Sequence, residues 1–143
     1  MQLLHCARTT GRRMQWICGA EVVDIARRVA DGLARSQGIG VDLWQIDDWV
    51  AMAQQGIACE RQWRQGARLR IDSRFEQLLA ATPGPILAVT QGERSLPEML
   101  RAFVPAGRVY LSLSGDDGID ALGATAVRLD ALAQAEWVGL SAI

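Results

Sequence analysis

The sequence contains no lysine and one histidine. A Walker-type phosphate loop ends in lysine, so that route to nucleotide binding is closed. All 15 basic side chains are therefore arginine, a bias that the codon composition of a GC-rich genome explains. Cysteine is sparse and odd in number. Cys6, Cys18 and Cys59 lack the paired spacing of a zinc site and form no secreted disulfide framework, which suits a reducing cytoplasm. Net charge is small too: a formal −1 and a pI near 5.8 supply no global basic field for nucleic acid or anionic lipid. No apolar run approaches the roughly 20 residues of a membrane span, and the first eight residues are too few for a signal peptide. The expected protein is soluble and cytoplasmic.

What is present suffices for one core. At 143 residues, 50% of them hydrophobic, residues 1–143 read as a single domain. Two short apolar runs, Gln2–Cys6 and Met14–Cys18, are joined through Gly11 and suit an antiparallel hairpin. Val22, Val23, Ile25, Ala26, Val29, Ala30 and Leu33 recur at helical spacing, and Gly38 and Gly40 end that helix. Val41–Ile46 alternates like a strand with one less buried face. Asp47 or Asp48 caps a helix carrying Trp49, Val50, Met52 and Ala53 that stops at Gly56. Ile57–Ser73 has weak periodicity and reads as an irregular excursion with a short helical turn.

Further on, Asp72 or Ser73 starts a helix through Phe75, Leu78, Leu79 and Ala80. Pro83-Gly84-Pro85 closes it before a strand over Ile86–Val89. Ser95 and Pro97 open another helix, with Glu98 in its first turn and Pro105-Ala106-Gly107 at its end. A strand over Val109–Leu113 precedes a helical tail from Ile119, with Asp130 as a cap between two pieces. Strands and helices alternate after the hairpin, the pattern of a mostly parallel sheet covered on both faces.

Groups that could carry chemistry are few. Gly19-Ala20 lies between a strand and a helix, yet the three-glycine spacing of a dinucleotide loop is missing and Glu21 places negative charge where phosphate would sit. A tight turn is expected there. His5 adjoins Cys6, but strand neighbours point to opposite faces and cannot bond to each other. Asp116, Asp117 and Asp120 surround Gly118 at the end of a strand, where they could offer oxygen ligands to Mg²⁺; solvated turn residues fit their spacing better. Arg61, Arg64, Arg68, Arg70 and Arg74, with Trp63 among them, form the one local basic cluster. Arginine with an aromatic suits single-stranded nucleic acid or a protein interface, and the slightly acidic chain favours the protein.

Several pieces, in order along almost the whole chain, carry a resemblance. They are Trp16-Ile17-Cys18-Gly19-Ala20, Gly40 to Ile46, Gly56 with Cys59-Glu60-Arg61, Pro85 to Thr90, Pro97 to Pro105, and Tyr110 to Asp116 with Gly118. Together they resemble the C-terminal domain of transketolase-type thiamine diphosphate enzymes, above all the homodimeric decarboxylating (acetyl-transferring) component of bacterial pyruvate dehydrogenase. The family's glycine-serine-glycine turn is Cys18-Gly19-Ala20 here. Its two strand-end loops become Gln91-Gly92-Glu93-Arg94 and Asp116-Asp117-Gly118-Ile119-Asp120.

The resemblance implies a three-layer α/β/α sandwich around a mixed sheet of about five strands, the first antiparallel. In that family thiamine diphosphate and Mg²⁺ lie in the two preceding domains, so no catalytic, cofactor or metal residue is carried over to this chain. The implied role is non-catalytic subunit association and organisation, with itself or a thiamine-binding chain as partner; the lack of a long apolar run speaks against a membrane, and the slightly acidic charge disfavours nucleic acid. The loop residues Gln91, Glu93, Arg94, Asp116, Asp117 and Asp120 are candidate ligand or interface positions, and Arg61, Trp63 and Arg64 a candidate interface. A stand-alone ligand-binding protein or enzyme reusing the scaffold at Gly19, Thr90 and Gly115 is the alternative; an arginine-mediated nucleic-acid binder is the third.

Overall fold

The computed structural model describes residues 1–8 and 11–141, the last six of them as helical backbone. The strands are β1 (Gln2–His5), β2 (Arg13–Gly19), β3 (Gly40–Ile46), β4 (Ile86–Val89) and β5 (Tyr110–Leu113). They form one mixed sheet in the order β1-β3-β2-β4-β5, with β1 antiparallel to β3 and every other pairing parallel. The helices are α1 (Val23–Gln37), α2 (Trp49–Arg64), α3 (Arg74–Ala80), α4 (Ser95–Glu98) and α5 (Leu122–Ser141). This is the α/β architecture with an antiparallel first strand that the resemblance implies.

Alternation along the strands sorts the core into two layers. Met14, Trp16 and Cys18 of β2, with Leu87 and Val89 of β4, face α1 and α5. Ile17, Ile86, Ala88 and Tyr110 face α2 and α3, where Trp49, Met52, Phe75 and Leu79 meet them. Both faces are covered, so β2 and β4 are buried along nearly their whole lengths, as parallel strands require. α1 ends where Gly38 turns left-handed, at φ 66°.

Several sequence expectations need correction. The opening runs do not pair as a hairpin: β3 lies between β1 and β2, and Ala7 is tied instead to Asp42, its N–H donating to Oδ1 at 2.7 Å. Asp42 does not mark a less buried face of β3. It is 1% exposed and forms an ion pair with Arg13 at 2.5 Å, which lets a charged residue sit inside. The helix capped by Asp48 does not stop at Gly56 but runs on to Arg64, because Gly56 is buried against the ring of Phe103. The irregular stretch is correspondingly shorter.

Asp130 does not divide the tail into two pieces. It lies inside α5, buried and paired with Arg12 at 2.9 Å. The helix expected from Ser95 to Pro105 is also broken. It ends at Glu98, and the chain continues as a 3₁₀ turn over Arg101–Phe103, with Leu100 N–H bonded to Pro97 and Phe103 N–H to Leu100. The Ser73 cap of α3 and the Asp48 cap of α2 form as the sequence predicts, accepting from Glu76 N–H at 3.1 Å and Ala51 N–H at 2.9 Å.

Candidate functional site

β2 leads through α1 to β3 on one side, while β4 and β5 lie on the other, so the sheet has a topological switch between β2 and β4. Open α/β sheets take ligands outside the carboxyl ends of the strands at that point. The crevice lies between Gly19-Ala20-Glu21 and Thr90-Gln91-Gly92. Glu21 occupies it: its Oε1 accepts the Gln91 N–H at 3.2 Å and the Thr90 hydroxyl at 3.3 Å. The Thr90 oxygen in turn accepts the Gly92 N–H at 3.0 Å. Donors that could greet an anion are thus turned onto the chain's own carboxylate.

The neighbouring loops are held just as closely. Gly115 N–H donates to Gly92 O at 3.2 Å, and a Cβ at position 115 would stand 2.1 Å from the Gln91 carbonyl oxygen, so only glycine allows this approach. Arg94 reaches from the first loop to the second strand and its turn. Its Nη1 donates to the Ser112 carbonyl at 3.0 Å and hydroxyl at 3.2 Å, and its Nη2 pairs with Asp117. Asp117 also accepts the Ser114 N–H at 2.8 Å, and that bond, ahead of Arg94, holds its carboxyl below the ordinary range.

A second cluster lies beside Ser112. Its hydroxyl donates to Glu98 Oε1 at 2.6 Å, while Arg101 grips the same carboxylate through Nε at 2.6 Å and Nη2 at 2.9 Å. Arg101, followed by Ser112, draws the Glu98 carboxyl down to about 2 against the opposing effect of burial. The Arg101 guanidinium also lies over the Tyr110 ring, 5.1 Å from its centroid. Tyr110 donates its hydroxyl to the Pro97 carbonyl at 2.5 Å, and burial pushes its ionisation upward.

The structure therefore brings Gln91, Arg94 and Asp117 together at one edge of the sheet. It leaves Glu93, Asp116 and Asp120 exposed on the rim, where the Glu93 carboxylate accepts a long bond from Ser95 Oγ at 3.4 Å. Among the described residues no three His, Cys, Asp or Glu side chains gather as metal ligands. The donor set at the crevice does not fit thiamine diphosphate with Mg²⁺: a diphosphate there would face the Glu21 carboxylate, and Asp117 is already committed to Arg94 and Ser114. His5 and Cys6 are exposed near the sheet edge, Cys18 is buried with its thiol pushed up by burial, and all three cysteines are free.

Arg61, Trp63 and Arg64 close α2, and the loop after it carries Arg68 and Arg70. Trp63 is 51% exposed and, with Glu60, Arg64 and Arg70, lines a cavity of about 330 Å³. Among the described residues none of the cluster's five arginines forms an ion pair.

Sequence reasoning passed over the most buried polar network. Gln15 is fully buried; its amide donates to Asp42 Oδ2 at 2.7 Å and to Pro83 O at 2.9 Å, and its carbonyl accepts Trp44 Nε1–H at 2.8 Å. Arg108 likewise closes the end of α3, donating to the Leu79 and Thr82 carbonyls at 2.8 Å and to Gly84 O at 2.6 Å. The visible signal was a lone Gln or Asp within an apolar strand. Both networks lie at the strands' amino ends, away from the crevice, and secure the scaffold.

No helix among the described residues is long and apolar enough to cross a membrane. No family model matches the chain. Two curated proteins are similar to it, each named pyruvate dehydrogenase E1 component. One, from Mycolicibacterium smegmatis, is 31% identical over 96 residues, covering 63% of this chain and 10% of the relative. The other, from Mycobacterium tuberculosis, is 29% identical over 112 residues, covering 74% of this chain and 11% of the relative. The chain thus spans about a tenth of the length of the curated relatives it matches.

Proposed function

We propose that this chain is a non-catalytic association domain of a pyruvate dehydrogenase-like or transketolase-like thiamine diphosphate enzyme, corresponding to the C-terminal domain. The observation that carries the reading is its likeness to the two pyruvate dehydrogenase E1 components. The geometry of the sheet edge supports it. Glu21, Arg94 and Asp117 spend their charges on neighbouring loops, which suits a scaffold more than a substrate site. Thiamine diphosphate and Mg²⁺ belong, in this reading, to domains outside this sequence. The working partners are a second copy or a thiamine-binding chain.

The purified chain, given pyruvate, thiamine diphosphate and Mg²⁺ with an artificial electron acceptor, is expected to release no carbon dioxide above the protein-free control. Turnover abolished by omitting thiamine diphosphate would overturn the proposal.

A further inference from the structure

A cavity of about 320 Å³ lies at the amino ends of the parallel strands, at the opposite end of the sheet from the crevice. Arg13 at the start of β2, Gly84 just before β4, Arg108 just before β5, and Ala133 and Gln134 of α5 line it. The Gly84 backbone lies so close to β2 that a Cβ there would stand 1.9 Å from the Arg13 carbonyl oxygen, an approach only glycine permits. Gly84 O in turn accepts the Arg108 Nε–H at 2.6 Å. One glycine thus brings two guanidiniums from distant parts of the sequence to one cavity. They are the only charged groups in its lining, and no carboxylate is among the lining residues.

Each guanidinium keeps a buried N–H without a partner, at Arg13 Nε and Arg108 Nη2. Among the described residues no other buried side-chain nitrogen or oxygen is left so outside the exposed ones. The charge of Arg13 is met by Asp42, which accepts from its Nη2. That of Arg108 is not: its Nε and Nη1 donate to three carbonyl oxygens, and it forms no ion pair among the described residues. Burial lowers its ionisation with no carboxylate to oppose the effect. Water accepts such N–H groups but brings no counter-charge, whereas an oxyanion does both, through the strong charge-assisted kind of hydrogen bond. A tetrahedral oxyanion presents oxygens in four directions and so reaches donors on two separate side chains. The cavity is about ten times the volume of one liquid water, roomy enough for a phosphate carrying a small organic group.

We propose that this cavity is a binding site for a small oxyanion of the phosphate class, held between the Arg13 and Arg108 guanidiniums. The site is separate from the association role proposed above and does not depend on it. The probe is inorganic phosphate, exchanged for chloride at constant ionic strength against the full chain. Isothermal calorimetry is expected to show saturable binding at one site with a dissociation constant of about 1 mM, the affinity of two charge-assisted bonds. The Arg13 Nε–H resonance, identified by its loss in Arg13→Lys, should move along the same curve. Gln134→Glu sets a carboxylate on the cavity rim at an exposed helical position that leaves the fold intact. It should weaken phosphate at least about tenfold and raise the melting temperature of the phosphate-free chain. Arg108→Lys keeps the charge without the planar fork and should weaken binding similarly. Acetate binding more weakly than phosphate fits the proposal, and acetate binding as tightly would overturn the phosphate class. A response that grows linearly without saturating is the general salting effect and would remove the site. So would an Arg13 Nε–H that stays in place while phosphate binds, or an affinity that Gln134→Glu leaves unchanged.

Discussion

The ring of Phe103 rests on Gly56, close enough that a Cβ at position 56 would stand 2.7 Å from its Cε1. Phe103 is 7% exposed, held by the 3₁₀ turn after α4, and has little room to withdraw. Gly56→Ala gains about 1 kcal/mol of helix propensity, but overpacking at such a contact costs about 1 to 3 kcal/mol. Net destabilisation is expected, read as a lower urea midpoint. Gly32 supplies the comparison: it is also helical, and a Cβ there meets nothing within 4 Å. Gly32→Ala should stabilise by about 0.5 to 1 kcal/mol. Equal shifts in the two variants would refute the packing role of Gly56.

The same glycine shows what a sequence conveys and what it withholds. Local signals served well where local physics decides: the Ser73 and Asp48 caps, the left-handed Gly38 at the end of α1, and the buried apolar strands at Ile17 and Leu87 all depend on near neighbours. Gly56 was misread because its reason lies 47 positions away, and Asp42 because its partner belongs to another strand. Asp130 failed as a cap for the same cause, being matched to Arg12 across the fold. At the sheet edge the loops at Gln91 to Arg94 and Asp116 to Asp120 were visible as places. That Arg94 and Asp117 join them, and that Glu21 closes the crevice, depends on the strand order β2-β4-β5, which spacing does not encode.

Asp42 is the test of the buried network. Burial would raise its carboxyl, but hydrogen bonds from Arg13, the Ala7 N–H and Gln15 outweigh it and hold the group below the ordinary carboxylate range. Asp42→Asn leaves the Arg13 guanidinium without its counter-charge. The expected loss is about 3 kcal/mol, the low end for breaking a buried pair, because a quarter of the Arg13 side chain still reaches water. Chemical denaturation near pH 7 measures it, and a loss within the error of the measurement would show that the pair contributes nothing net.

Glu98 gives the fold an acid-sensitive contact. Its carboxyl is drawn from 4.5 to about 2, chiefly by Arg101. A depressed folded-state value adds stability above the unfolded value and loses it as pH falls through the folded one. The contribution is therefore full above about pH 5 and fades between about 4.5 and 2. Since Arg101 is half exposed, solvent screening reduces it to about 1 to 2 kcal/mol. Glu98→Gln should lower the urea midpoint at pH 7 and match the parent chain near pH 2. A gap that persists unchanged into acid would place its cause in packing instead.

Arg94 ties the two strand-end loops through Ser112 and Asp117, and its removal should loosen one of them selectively. In Arg94→Ala the Ser112 carbonyl and Asp117 lose a charged donor, while β4 and β5 keep their ladder from Ile86 to Leu113. Amide exchange at Asp117 and Gly118, whose N–H groups bond to Ser114 and Gly115 within the turn, should quicken by about tenfold. That corresponds to about 1.5 kcal/mol, the size of one hydrogen bond to a charged group. Glu93→Ala, one position away on the exposed rim, should leave those amides alone. Equal quickening in both variants would mean that loop composition, rather than the Arg94 bridge, sets the order of the turn; no change in either would remove Arg94 as the tie between the loops.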